Sequence, residues 1–329
     1  MKKLLCFIIF LFTLSSSNIF ADDINDPVAD FIKTGEGALT FTGNNNSSGN
    51  TKIENGDLII NNSSGLASGD ISIEGAELTA SQDLSISSQI SVTGSSTLEA
   101  TIGKTVDIKG QINGNGSLIF AGQGTFDLRG EIENTGSATI DGPTLAINTS
   151  TNQSLTMSSG VIKGAGSIAS LTATSGEIQP GNSIGTLTVT GNYKQSGANL
   201  EIEVNSSGES DLLDVSGTSE VSGDLIISFS DGTYSLGQEF KFIEAKGGAT
   251  GKFSNITYQG QSYLGGLVPR IKYSSDAIVL SLTPAPGITV DKTGATNSSG
   301  DLTTSEAGGT SAFTVVLDAE PTASVTVSL

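Results

Sequence analysis

The chain has 329 residues, with 34 acidic against 15 basic side chains and a formal net charge of −19. It contains no histidine, no tryptophan and a single cysteine, Cys6. These counts exclude histidine-based catalysis, internal disulfides and metal sites built from several cysteines or histidines. The acidity also argues against nucleic acid as a partner, since both surfaces would be negative. Abundant glycine favours short strands joined by tight corners.

Residues 1–21 have the pattern of a secretory signal peptide. Lys2 and Lys3 form a basic start, and the apolar run that follows is too short to cross a bilayer. Ala21 then precedes acidic residues. We therefore expect an exported mature chain that begins near Asp22 and lacks the cysteine.

An internal repeat dominates residues 22–193. An ungapped alignment joins VDIKGQINGNGSLIFAG (106–122) to FDLRGEIENTGSATIDG (126–142). Alternating apolar residues between glycine corners, at a period near twenty, indicate a β-solenoid with one coil per repeat. We predict an all-β, right-handed parallel β-helix over 22–193, in which Ile112 and Ile132 stack inside adjacent coils.

Asp107 and Asp127 fall on successive coils of this predicted helix. A carboxylate pair can hydrolyse glycosides without histidine, so a β-helix polysaccharide depolymerase (glycosidase or lyase) stays open as an alternative function. We favour an exposed ladder in which Lys109 and Arg129 pair with the two aspartates. No catalytic or cofactor-binding residue is assigned.

Residues 176–193, GEIQPGNSIGTLTVTGNY, combine strand-like segments with a Pro-Gly-Asn corner. The following residues, 194–282, are richer in large apolar side chains. An open solenoid end would expose unpaired strand edges, so a cap is needed there. We interpret the corner as the passage from the regular helix into a β-rich cap over 194–282.

Four segments resemble autotransporter passengers. They are KTGEGALTFTGNNNSSGNTKIENGDL (33–58), the corner segment 176–193, SDLLDVSGTSEVSGDLIISF (210–229) and YSLGQEFKFIEAKGGATGKFSNI (234–256). The resemblance covers about 33–282 and implies a β-helix with a pertactin-like C-terminal cap, often called an autochaperone. It also implies a non-enzymatic, adhesive or structural protein, extracellular or on the cell surface of a Gram-negative-type bacterium.

The expected partner is a host or surface macromolecule, either glycan or protein. Corner loops such as 43–50 and 149–154 are the candidate contact points. The family ends in a membrane-embedded translocator, so we expect contact with a membrane only through a translocator that this chain does not contain.

Residues 283–287, TPAPG, form a predicted linker. The remainder, 288–329, resembles the start of Calx-β-like sandwich repeats in SEAGGTSAFTVVL and PTASVTV. It is too short for a complete sandwich, which favours a truncated reading frame or a fragment of a longer surface protein. Carboxylates bind hard cations, so Asp291, Asp301 and Glu306 are calcium candidates, with ordinary loop residues as the alternative; no other cofactor is expected.

Overall fold

The computed structural model describes residues 19–21, 28, 30–134, 136–262, 264–293, 297, 302–304, 306–319, 321 and 324–326. Within these ranges the chain is all-β and contains no helix. No helix of the described residues is therefore long and apolar enough to cross a membrane. Of the predicted signal peptide, only 19–21 are described.

The strands are short and follow one another closely. The first seventeen are β1 (Ile19–Ala21), β2 (Phe31–Lys33), β3 (Leu39–Phe41), β4 (Thr51–Ile53), β5 (Asp57–Ile60), β6 (Ile71–Glu74), β7 (Glu77–Ala80), β8 (Leu84–Ile86), β9 (Ile90–Thr93), β10 (Ser95–Ala100), β11 (Thr105–Ile108), β12 (Ile112–Gly114), β13 (Ser117–Gly122), β14 (Thr125–Leu128), β15 (Ile132–Asn134), β16 (Ala138–Ile147) and β17 (Ser154–Gly164). The others are β18 (Ser167–Ile168), β19 (Ser170–Ala173), β20 (Glu177–Pro180), β21 (Thr186–Val189), β22 (Tyr193–Gln195), β23 (Asn199–Val204), β24 (Leu212–Val215), β25 (Ser219–Val221), β26 (Asp224–Phe229), β27 (Glu239–Ala245), β28 (Ala249–Gly251), β29 (Asn255–Gly260), β30 (Leu267–Tyr273), β31 (Ala277–Pro284), β32 (Ile288–Thr293) and β33 (Ala312–Leu317).

Successive coils stack in parallel and build three faces, which confirms the predicted β-solenoid. The first face contains β2, β4, β6, β9, β12 and β15, then β18, β21, β24 and β27. The second contains β1, β3, β5, β7, β10, β13, the first halves of β16 and β17, β19, β22, β25 and β28. The third contains β8, β11, β14, the second halves of β16 and β17, β20, β23, β26 and β29.

The sequence repeat sets the register between coils. Val106 pairs with Phe126 and Ile112 with Ile132, as predicted from the alignment, and all four side chains are buried. Alternate residues of each strand enter one continuous apolar core. Coils approach so closely at Gly130 that a Cβ there would lie 1.9 Å from a backbone oxygen of the coil below.

Parallel pairing continues beyond residue 193 into longer coils. Tyr193 pairs with Ser219, and Ser219 pairs with Ala249. The first antiparallel strand pairing along the solenoid occurs at β27, which pairs with β31, while β31 pairs with β30. This antiparallel pair covers the end of the first face, so the predicted cap region combines further coils with a hairpin.

The Pro-Gly-Asn corner connects the third face to the first, because β20 ends at Pro180 and β21 begins at Thr186. Gly181 exchanges two 2.8 Å backbone hydrogen bonds with Gly164 of the preceding coil. Its φ of +92° and the 2.1 Å that would separate a Cβ from the Ser183 oxygen both require glycine. Coils lie on both sides of this corner.

The described part of residues 288–329 forms one antiparallel pair, β32 with β33. The backbone N–H of Asp318 donates to the Gly287 oxygen at 3.1 Å and closes the base of the pair. Exposed apolar side chains, such as Phe313 and Val316, lie on it. These two strands are the part of the predicted sandwich segment that the structure describes as sheet.

Candidate functional site

The two corner loops proposed as contact points are partly internal. In 43–50, Asn45 and Ser47 are buried while their neighbours are exposed. In 149–154, Thr151 and Gln153 are buried in the same alternating way. Thr151 Oγ1 accepts a hydrogen bond from the Ile132 N–H at 3.2 Å. This bond takes the place of a strand-to-strand bond on the first face, where no strand lies between β15 and β18. Only every other residue of either loop can contact a partner.

The outer side of the third face presents a row of mostly polar side chains, interrupted by the buried Ala146. Residues at the same outward position of successive strands lie directly above one another, about 4.8 Å apart. This row consists of Ser85, Asp107, Asp127, Ala146, Lys163 and Gln179.

Asp107 and Asp127 form the ion-pair ladder that the repeat predicted. The Lys109 ammonium lies 3.1 Å from Asp107 Oδ2. Arg129 reaches both coils, since its Nη2 lies 2.8 Å from Asp127 Oδ2 and its Nε lies 3.3 Å from Asp107 Oδ1. Asn148 Nδ2 donates to Asp127 Oδ1 at 2.6 Å. Both carboxylates are therefore held by fixed partners within the face.

A carboxyl pair lies further along the third face. Gln179 Nε2 donates to Glu201 Oε2 at 2.9 Å and also to Glu177 Oε1. Ser228 Oγ donates to Glu201 Oε1 at 3.2 Å. Burial raises the pKa of Glu177, and a hydrogen bond with the Glu201 carboxyl raises it further. Glu177 is therefore protonated more easily than an ordinary glutamate.

A cleft of about 130 Å³ lies beside this pair, at the Pro-Gly-Asn corner. Its lining includes Lys163, Gln179, residues 180–183, Glu201 and Asp211. The cleft is small, because a drug-sized ligand occupies roughly 300–1,000 Å³. It can admit one polar group of a larger ligand.

Asp211 holds the wall of the cleft in place. Its side chain is only 2% exposed, and its two oxygens accept backbone hydrogen bonds from Gly185 at 2.9 Å and Glu203 at 2.7 Å. Burial raises the pKa of Asp211 to about 7 despite these two donors. The carboxyl group links the corner loop to β23 and is therefore structural.

A second cluster of acidic residues lies on the second face, near the start of the solenoid. Asp57 pairs with Glu77 on adjacent strands, and Thr79 Oγ1 donates to Asp57 Oδ1 at 3.0 Å. Burial raises the pKa of Glu77 to about 7, assisted by a hydrogen bond with Glu99 and by the charge of Asp57. Stacking of coils brings these acids together.

The acidic groups that stand out on these faces are carboxyl groups whose pKa burial raises, such as Glu77 and Glu177. Glu177 and Glu201 lie on strands of adjacent coils, and the Gln179 side chain donates a hydrogen bond to each carboxyl group. The sequence repeat could not reveal this pair, because it spans two coils of different length. The alternation of polar and apolar residues in 177–179 shows only that both flanking side chains face outward.

Two of the three calcium candidates, Asp291 and Glu306, lie outside the strands of these faces. Asp291 is exposed in β32, and Glu306 is exposed in a turn. Asp301 lies outside the described residues. In the part of the chain that the structure describes, no group of three or more acidic, histidine or cysteine residues is placed to hold a metal ion. The calcium site stays a prediction.

No protein-family model matches the chain, and no curated protein matches it significantly. The parallel β-solenoid is therefore shown by its own strand register, whereas the resemblance to autotransporter passengers and to Calx-β repeats rests on the sequence motifs.

Proposed function

We propose that this chain is a non-enzymatic, secreted or cell-surface protein of the autotransporter-passenger type, in which a rigid solenoid displays a polar face to a macromolecular partner. The supporting observation is the Asp107–Arg129 ladder, whose carboxylates are engaged with cations of the same face. Paired side chains fix a surface pattern without presenting a free nucleophile or base. Such a surface suits adhesion to a glycan or protein.

The N-terminal sequence pattern supports the same proposal. The signal-like residues 1–21 would deliver the chain to an extracellular site, where the absence of cysteine from the mature part avoids any dependence on disulfides. No metal or cofactor has a part in this mechanism.

Binding and catalysis can be separated in one experiment. The purified chain is applied to immobilised host-matrix proteins and glycans, and the same preparation is incubated with a broad polysaccharide panel. We expect binding that Arg129→Glu weakens tenfold or more, and no release of saccharide. Lys52→Glu, the matched reversal of an ion-paired, half-exposed cation on the first face, should leave binding unchanged. If neither variant loses binding, the third face is not the contact surface.

Polysaccharide depolymerase is the second candidate, because Glu201 lines a cleft and burial raises the pKa of the nearby Glu177. In that mechanism the protonated carboxyl would act as a general acid. Saccharide release that Glu201→Gln abolishes, while the exposed control Glu131→Gln retains it, would establish this candidate and overturn the adhesive one.

A further inference from the structure

The first face of the solenoid is split at one place. The ladder that starts at β2 ends at β15, and a second ladder begins at β18. Between them, the segment 149–153 bonds to β18, since the Thr151 N–H donates to the Ser167 oxygen at 2.9 Å. Towards β15 the same segment offers a side chain in place of backbone, because Thr151 Oγ1 bonds to both the N–H and the oxygen of Ile132. Side chains therefore bridge the two coils at this split.

A cleft of about 550 Å³ opens at this split, lined by residues 132–134, Gly136 and residues 152–154. The residues at its rim, among them Asn152, are exposed, whereas Asn134 and Gln153 are buried within it. The volume lies in the range of roughly 300–1,000 Å³ that small-molecule sites occupy. A flat macromolecular surface reaches only the rim, but the cleft gives a small group access to the two buried amides.

Two buried amide oxygens in this cleft, Asn134 Oδ1 and Gln153 Oε1, have no hydrogen-bond donor in the part of the chain that the structure describes. Asn134 is only 6% and Gln153 only 5% exposed. The nitrogens of both amides are engaged, since Asn134 Nδ2 donates to the Gly116 oxygen at 2.7 Å and Gln153 Nε2 to the Gly136 oxygen at 3.1 Å. These bonds fix which end of each amide is the oxygen. A buried acceptor without a donor is costly, so a ligand that donates to these oxygens is favoured.

The lining of the cleft selects the class of ligand. The described lining contains no lysine or arginine, which argues against an anion, and only one carboxylate, Glu133, whereas a hard cation such as calcium takes six to eight oxygen ligands. An inserted peptide strand would find both backbone groups of Ile132 occupied by Thr151. A neutral polyhydroxyl compound fits better, because its hydroxyls donate and accept, as do the side chains of Asn152 and Ser154.

We propose that the split in the first face binds a neutral oligosaccharide, two hydroxyls of which donate to Asn134 Oδ1 and Gln153 Oε1. Glu133 and Asn152 hold the adjoining hydroxyls at the rim. This binding site goes beyond the proposed function, which places the macromolecular contact on the third face. The two surfaces are separate, so either one can fail its test without the other.

Isothermal titration of the full chain with trisaccharides tests this proposal. The neutral panel contains maltotriose, cellotriose, mannotriose and the trimer of N-acetylglucosamine, and trigalacturonic acid is the acidic counterpart. We expect a neutral trisaccharide to bind with a dissociation constant below about 1 mM, and the acidic one to bind about tenfold more weakly. Nitrogen-15 NMR should show that the side-chain amide signals of Asn134, Asn152 and Gln153 shift when the neutral ligand is added.

Substitutions in the cleft locate the binding. Asn152→Ala and Gln153→Ala each remove one amide and should weaken the binding about tenfold or more. Asn55→Ala, which removes an exposed asparagine at a distant corner, is the matched control and should bind like the unchanged chain. Arg129→Glu, on the third face, should also retain saccharide binding. Circular dichroism shows which variants are folded, and the exposed position of Asn152 keeps the test open if Gln153→Ala unfolds the chain.

Three results would overturn the proposal. A chain that binds none of the neutral trisaccharides has no saccharide site at the split, and water alone then serves the two amide oxygens. Binding that Asn152→Ala and Gln153→Ala leave unchanged lies elsewhere on the chain. Binding that only Arg129→Glu removes belongs to the third face.

Discussion

Ile112 lies directly against Ile132 in the interior of the solenoid, and neither side chain is exposed to solvent. A charge at either position would have no partner. We expect Ile132→Asp to lower the free energy of unfolding by about 3–5 kcal/mol, as an unpaired buried charge does. Denaturant unfolding followed by circular dichroism measures the loss.

Glu131 precedes Ile132 and faces outward. Glu131→Asp should change the free energy of unfolding by no more than about 0.5 kcal/mol, as surface substitutions usually do. Similar losses in the two variants would show that the inward and outward positions are assigned to the wrong residues.

Asp211 is the carboxyl group that ties the Pro-Gly-Asn corner to β23. Asp211→Ala leaves two backbone N–H groups without an acceptor, and we expect a loss of about 1–3 kcal/mol. The corner should then become the first site of cleavage in limited proteolysis. Asp231→Ala, an exposed loop change, is the control and should alter neither stability nor the cleavage pattern.

Stability should depend on pH through the buried acids. The pKa of Glu77 rises from an ordinary 4.5 to about 7 in the fold, so the folded chain holds a proton that the unfolded chain has lost. This contribution is complete below pH 4.5 and disappears as the pH rises through 7. Asp211, with a pKa of about 7, acts in the same direction.

We therefore expect a higher melting temperature at pH 5 than at pH 8. Glu77→Gln should reduce this difference in melting temperature, because the amide mimics the protonated acid at both pH values. Glu133→Gln, at an exposed position of β15, should leave it unchanged. A melting temperature that increases from pH 5 to pH 8 would contradict the assignment.

Alanine substitutions at two glycines can distinguish the energetic cost of close packing between coils from the cost of backbone strain. A Cβ at Gly130 would overlap the Gly110 oxygen, whereas Gly103 has open space around it but a φ of +72°. We expect Gly130→Ala to cost about 3 kcal/mol through forced separation of coils, and Gly103→Ala about 1 kcal/mol through strain. The free energies of unfolding of the two variants measure these costs. A larger loss of stability in Gly103→Ala than in Gly130→Ala would contradict the prediction.

Much of the solenoid follows from the sequence because one repeat makes one coil. The pairing of Val106 with Phe126 and the ladder of Asp107 with Asp127 could both be predicted from the ungapped alignment. The Glu177–Glu201 pair could not, because coil length changes along the chain and the offset between stacked residues changes with it. The Asp211 contact also depends on a corner loop whose path has no counterpart in the repeat.

The ladder hydrogen bonds between coils run along the rod, from one coil to the next. A force that pulls the two ends apart would load these bonds head-on, so they would break in small groups and not all at once. Each coil of about twenty residues would then release roughly 60–70 Å of extended chain, at about 3.3 Å per residue. The protein would behave as an extensible tether that yields stepwise, which single-molecule pulling would record as a regular sawtooth.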